Sequence, residues 1–457
     1  MQYSDFLKQK QLVSPAMGSR VNPSLINNYL FPFQKKLVEW SLRKGRAAVF
    51  ADTGLGKTLM QIETLRLIGG PCLILSPLAV VRQTVEEGKK IGVDVRYARS
   101  QKDASPGGIT ITNYEMLPHF DPSQFRAVAL DESGILKAFE GKTRTALIDA
   151  FSETPYRFCY TATPAPNDIA EIANHAAFLG LMSREEMLSA FFVHDDEGWR
   201  LKKHAAAGPF WQWLASWSMS VRKPSDIGFE DAGYELPPLS IKPVIIQTNW
   251  KPDGSLFASR LHGITERSSV RKDTVIQRVE AAAKLVNDEP DQMWLVWCGL
   301  NDESRMMAQA IPGAVEVVGS DSPERKADAL HGFAQGKYRV LVSKSSIAGF
   351  GMNFQRCCRM CFVGVGDSYE TYYQSIRRCW RFGQTKPVDA YIVLSEPEEQ
   401  IYQNVLRKEK DANLLSNNLL KHVSEFEKEE IGVVSGRDDY NAKKQIALPS
   451  WLQGESA

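Results

Sequence analysis

The sequence predicts an α/β protein of two similar units, each a parallel sheet with helices on both faces, separated by a small, mostly helical insertion. Three observations lead there. Short apolar runs alternate with amphipathic ones in the first half, the same rhythm restarts after residue 290, and the pattern breaks in between.

In the first half, Ala47–Ala51, Cys72–Ser76, Ile109–Thr112, Ala127–Asp131 and Phe158–Thr161 read as strands buried on both faces. Helical spacing accompanies them, as in Phe33, Leu37 and Trp40. In the second half the strands are Met293–Cys298, Val315–Val318, Arg339–Ser343, Met360–Val365 and Ala390–Leu394. A helix among them opens on Ser322-Pro323-Glu324, a cap with proline at the first helical position, and Ala327, Leu330 and Ala334 form its expected inner stripe. Between the units, Phe191–His194 and Trp199–Lys203 flank Asp195-Asp196-Glu197-Gly198 as a hairpin, followed by a helical stretch with Trp211, Trp213 and Trp217. Core packing is the expected role of these tryptophans, with base stacking as the alternative. The expected division is 1–177 for the first unit, 178–245 for the insertion, 246–424 for the second unit and 425–457 for a tail.

The chain has 457 residues, enough for two proper cores, and a formal net charge of +1, so any polyanion partner must meet a local patch. Seven scattered cysteines form no even framework and fit a reducing compartment; Cys357, Cys358 and Cys361 lack a second pair at zinc-site spacing and read as buried thiols. The first ten residues lack a signal-peptide core and no run reaches membrane-spanning length, so the expected location is the cytoplasm.

Chemistry concentrates at strand ends. Ala51-Asp52-Thr53-Gly54-Leu55-Gly56-Lys57-Thr58 sits between an apolar run and a helical one. In that setting backbone N–H groups of Thr53 to Thr58 cradle phosphate oxygens, Lys57 reaches the terminal phosphates and Thr58 places a hydroxyl on Mg²⁺. The usual first glycine is Ala51 here. Asp131-Glu132 ends another strand; Asp131 suits the Mg²⁺ shell and Glu132 suits orienting and deprotonating a water. Thr161-Ala162-Thr163-Pro164 ends a third and can bond phosphate or those carboxylates. In Gln374 to Gln384, a helix would put Gln374, Arg378 and Arg381 on one face, a guanidinium pair suited to a γ-phosphate. The alternative for that segment is a solvated basic helix or one lying on nucleic acid. Gly349-Phe350-Gly351-Met352-Asn353 permits close backbone approach.

Taken together these segments resemble the superfamily-two helicase-type ATPase motors, in particular the Swi/Snf-like branch, over residues 30–420. Phe31-Pro32-Phe33-Gln34 resembles the glutamine motif, which implies that Gln34 reads adenine. Leu75-Ser76-Pro77-Leu78 and Ile111-Thr112-Asn113-Tyr114-Glu115 resemble motifs Ia and Ib, so Ser76 and Tyr114 are nucleic-acid candidates, with Gly349 of the motif V-like segment. Asp131-Glu132 with Lys137 resembles motif II, and Gln374 to Gln384 resembles motif VI with its closing Gly-Gln. The resemblance implies two RecA-like domains with ATP and Mg²⁺ between them, Gly351 and Gln374 contributing to the nucleotide site, and DNA across the top. Arg222 and Lys223 are further phosphate-contact candidates. Three departures stand out: Ser133-Gly134 in place of Ala-His, Arg377 where the branch has Asp, and Asp367-Ser368-Tyr369-Glu370 in place of Trp-Asn-Pro. The compact length resembles bacterial or phage-borne members.

The expected function is a DNA-dependent ATPase that translocates on duplex DNA. The alternatives are an RNA-directed or strand-separating helicase of the same superfamily, a non-catalytic ATP-gated clamp in a replication, recombination or restriction assembly, and a nuclease built on His194-Asp195-Asp196-Glu197.

Overall fold

The computed structural model describes residues 13–137, 141–195, 198–206, 208–248, 264–348 and 353–437. Gly349 and Gly351, the hairpin-tip residues Asp196 and Glu197, and the last twenty positions of the tail lie outside the described residues.

The first sheet is built from β1 (Arg46–Ala51), β2 (Cys72–Ser76), β3 (Val95–Tyr97), β4 (Ile109–Asn113), β5 (Ala127–Asp131) and β6 (Tyr156–Tyr160). The short antiparallel hairpin β7 (Phe192–Asp195) and β8 (Gly198–Leu201) follows, then β9 (Ser218–Val221) returns to the first sheet. The order is β3-β4-β2-β5-β6-β1-β9, with every pair parallel. The second sheet takes β10 (Leu239–Ile246), β11 (Trp294–Cys298), β12 (Val315–Val317), β13 (Val340–Lys344), β14 (Arg359–Val363) and β15 (Val388–Ser395) in the order β10-β15-β14-β11-β13-β12, again all parallel. Helices cover both faces of both sheets, the two-domain RecA-like layout. β2, β5 and β11 are buried at every position, which is why their sequences read as unbroken apolar runs.

The tertiary structure adds three strands that periodicity did not show. β3 is three residues long with two of them exposed. β9 reads Ser-Met-Ser-Val, yet it is wholly buried because Ser218 Oγ donates to the Leu214 carbonyl at 2.8 Å. β10 contains Pro243, which an edge strand tolerates.

Residues 209–221 are not a free-standing insertion. The helix Pro209–Ala215 and β9 belong to the first core, where Trp211, Trp213 and Trp217 are buried against Phe191, Phe210 and Phe50. Aromatic area of this size is stabilising only when taken from water, so core packing wins over base stacking. The helix Pro323–Ala334 is capped by Ser322 as expected, but its buried stripe is Ala329, Leu330 and Phe333, with Ala327 exposed. Phe333 packs on Phe354 at 5.2 Å, and the larger ring sets the helix rotation.

One helix, Glu399–Arg437, joins the two lobes. Tyr402 and Val405 near its start belong to the second core, whereas Leu415, Leu419 and Val423 belong to the first. Among the described residues no helix is long and apolar enough to cross a membrane.

Candidate functional site

Parallel strands place all their C-terminal ends along one edge of a sheet, which is where open α/β sheets carry ligands. At that edge of the first sheet β1 delivers the glycine loop, β5 delivers Asp131 and β6 delivers Thr161. The second lobe closes over this edge. The resulting cleft, about 380 Å³, is lined by Thr53, Gly54, Gly56, Lys57 and Thr58, by Asp131 and Glu132, and by Arg378 and Arg381 from the second lobe. Gln34, Tyr29, Phe31, Tyr234 and Phe382 line it as well.

The loop has the backbone that its sequence requires. Gly54 and Gly56 have φ of 90° and 79°, and a Cβ on Gly54 would stand 3.2 Å from the Phe382 Cβ. Lys57 opens the helix Lys57–Ile68, and its Nζ donates to the Ala51 carbonyl at 2.9 Å. Gln34 braces the loop. Its Oε1 accepts from the Phe31 amide and its Nε2 donates to the Leu55 carbonyl, both at 2.9 Å.

Asp131 is 5% exposed, and burial, with Glu132 beside it, pushes its carboxyl up to about 7, opposed by the charge of Lys57. Glu132 is the one non-glycine residue with positive φ among the described residues, at 51°, and its Oε2 is buried without a hydrogen-bond partner. Backbone strain of this kind persists only where the surroundings impose it, and here it turns the carboxylate into the cleft. Burial brings the Arg378 guanidinium down to about 10, offset by Glu132, and does the same to Arg381, helped by Arg378 and Arg377. Both remain cationic at neutral pH. Arg381 Nε is also buried without a partner. Two positive-φ glycines, a lysine, a hydroxyl, two carboxylates and two converging guanidiniums are a donor set suited to a nucleoside triphosphate with Mg²⁺.

Several expected positions differ. The helix bearing Gln374 is Tyr369–Ile376, and Arg378 and Arg381 lie in the turns beyond it. Gln374 is 5% exposed and does not line the cleft. Beyond the helix, Trp380 Nε1 donates to the Pro237 carbonyl at 2.7 Å, which ties the segment to the inter-lobe connector. Ser76 and Tyr114 are buried in this conformation. Tyr114 turns inward because its hydroxyl donates to the Asp131 carbonyl at 2.7 Å, which makes it a support for the acidic strand end. Arg222 and Lys223 are exposed, and each is engaged: Arg222 Nη1 with Asn417 at 2.8 Å, Lys223 with Asp231 at 2.9 Å.

Sequence reasoning missed Tyr234, which stands T-shaped to Phe31 and Phe33 and 4.8 Å from Phe382, ring to ring. No local signal marks a lone tyrosine in a connector. It also missed His175. The residue after Glu132 is Ser133, whose Oγ lies 3.1 Å from His175 Nε2, on the helix Ile172–Leu179. Burial brings this imidazole down to about 4. The unfolded chain takes up the proton first, so stability from a neutral His175 is complete above the ordinary histidine range and lost as pH falls towards 4. The expected result is that the melting-temperature gap between the parental chain and His175→Gln shrinks as pH is lowered from 7 to 4.5. Calorimetry across that range checks it.

Fold and cleft together define a two-lobed α/β protein with a charged site at the seam. Residues 277–383 match the family model described as the helicase conserved C-terminal domain. Helicase SWR1 of Eremothecium gossypii is 27% identical over 184 residues; the match covers 34% of this chain and 12% of that protein. A solved structure, the Sulfolobus solfataricus SWI2/SNF2 ATPase core in complex with dsDNA, aligns over 89% of this chain and 97% of its own at 18% identity, with a TM-score of 0.43.

Proposed function

We propose that this protein is a nucleic-acid-dependent ATPase of the Swi/Snf-like branch that translocates on duplex DNA. The observation that carries the reading is the shared cleft: Lys57, Asp131 and Glu132 from one lobe face Arg378 and Arg381 from the other. The helicase C-terminal match over 277–383 supports it.

Lys57 and the loop amides bind the terminal phosphates. Thr58 and Asp131 hold Mg²⁺, which when bound neutralises phosphate charge. Glu132 orients the attacking water and accepts its proton, and Arg378 and Arg381 stabilise charge on the transferred phosphoryl group. Tyr29, Phe31, Tyr234 and Phe382 flank the base. ATP binding draws the lobes together, hydrolysis lets them part, and alternating grip makes a step. DNA phosphates are taken up at the strand ends of the second lobe, where Lys344, Ser345 and Ser346 line a second cavity of about 280 Å³ beside β11, β13 and β14. In functional terms the lobe boundary falls in the connector around Pro237-Pro238, with the described residues of 178–236 folded onto the first lobe. The working compartment is the cytoplasm of a bacterial or phage-infected cell.

The test is ATP hydrolysis across a panel of duplex DNA, single-stranded DNA and RNA, with triplex displacement to separate translocation from unwinding. Duplex DNA is expected to stimulate most and to support displacement. Preferential stimulation by RNA, or turnover indifferent to every nucleic acid, would overturn the reading.

A further inference from the structure

Two consecutive arginines face opposite sides of the glycine loop. Arg378 lines the cleft at its front. Arg377, 3% exposed, grips its back and lines the separate inter-lobe cavity there, about 680 Å³. The Arg377 guanidinium pairs with the Asp52 carboxylate, its Nε donates to Thr53 Oγ1 at 2.6 Å, and Nη2 reaches the Thr53 carbonyl at 3.4 Å. The Tyr373 hydroxyl donates to the same carboxylate. Within the second lobe the guanidinium lies over the Trp380 ring at 4.7 Å and 5.7 Å from the Tyr373 ring centre, and Nη1 donates to the Trp380 carbonyl at 3.3 Å. Trp380 is itself tied to the connector through Pro237. Asp52 in turn follows the last residue of β1, with its amide on the Val221 carbonyl at 2.9 Å.

From this geometry we infer that Arg377 is a positioning residue: with Tyr373 it clips the loop of the first lobe to the second through Asp52 and Thr53, and so sets where Arg378 and Arg381 stand relative to Lys57. The inference rests on the proposed ATPase for its kinetic consequence but not for the clip itself. A planar fork held by a carboxylate, a hydroxyl and two aromatic rings has no equivalent in lysine. Removing Asp52 leaves the buried Arg377 guanidinium without its carboxylate, and removing Arg377 leaves Asp52 with the Tyr373 hydroxyl and the Thr53 amide but without its guanidinium, so the two residues act as one unit. Because Arg377 and Arg378 are adjacent, a loop released at its back is also displaced from the guanidiniums at its front.

The experiment is a double-mutant cycle on the full chain with Asp52→Asn, Arg377→Gln and the pair combined, alongside Arg377→Lys, with melting temperature confirming that each folds. Hydrolysis is read as kcat and KM under saturating duplex DNA. Inter-lobe distance is read separately, by a dye pair on the two lobes without nucleotide. Each single change is expected to lower kcat by roughly 5–150-fold, a typical inter-site coupling. KM should move less, the double should be no worse than the worse single, and Arg377→Lys should not rescue. The distance distribution should shift outwards in all of them. Effects that multiply in the double, or distances that do not move, would overturn the clip. Should Lys57→Ala leave hydrolysis intact, the ATPase reading falls, while the distance measurement still decides the clip.

Discussion

Replacing Lys57 with alanine is expected to lower DNA-stimulated ATP hydrolysis by at least about 10²–10³-fold, the usual loss when one preorganised charge is taken from a transition state. Lys57 is 9% exposed and directed into the cleft, and its Nζ lies on the Ala51 carbonyl of the same loop. Its stem can swing from that carbonyl to a phosphate without moving the loop. The loop backbone is held independently, by the positive φ of Gly54 and Gly56 and by Gln34 on the Leu55 carbonyl. The variant should therefore fold normally, with a melting temperature close to the parental one. Phosphate release under saturating duplex DNA is the measurement. A Lys57→Ala protein that turns over ATP at the parental rate would contradict the proposed function.

The second large effect is expected at the arginines. Arg378→Ala and Arg381→Ala should each reduce the hydrolysis step, and at least one of them by about 10³–10⁵-fold, as for an arginine supplied across a cleft. Nucleotide binding should change far less, because the interaction matters most where charge develops on the transferred group. Single-turnover hydrolysis combined with equilibrium binding of a fluorescent ADP separates the two. Lysine at either position should restore little, since it lacks the planar fork. Arg378 carries the sharper expectation because it faces Glu132, whose charge offsets the effect of burial on that guanidinium. Unchanged single-turnover rates in both variants would remove the second lobe from the chemistry.

Most of the site was legible because it is written in short segments at strand ends. Gly54, Gly56, Lys57 and Thr58 follow β1, and Asp131 and Glu132 end β5, so local pattern and parallel topology suffice to bring them to one edge. The motif-like spacing from Gln374 to Gln384 pointed to two arginines that line the cleft, but not through the helical face it suggested. The helix stops at Ile376, and turns, not a helical face, carry Arg378 and Arg381 into the cleft. Ser76 and Tyr114 lie in segments that resemble nucleic-acid motifs, yet both side chains are buried. Motif spacing reports chain position and says nothing about which way a side chain turns.

The sequence by itself determined the two parallel α/β units, their principal strands and the loop with its lysine and paired carboxylates, because each depends on neighbours within a few residues: apolar runs for buried strands, glycine where φ is positive. Only the tertiary structure decided that the Trp-rich stretch completes the first core, that one long helix binds both lobes, that His175 reaches Ser133, and that Arg377 answers Asp52 from the far lobe. Those outcomes depend on contacts between residues far apart in the chain. Such contacts are set by how two finished surfaces fit and by which buried charge must find a partner, and neither leaves a periodic trace in the sequence.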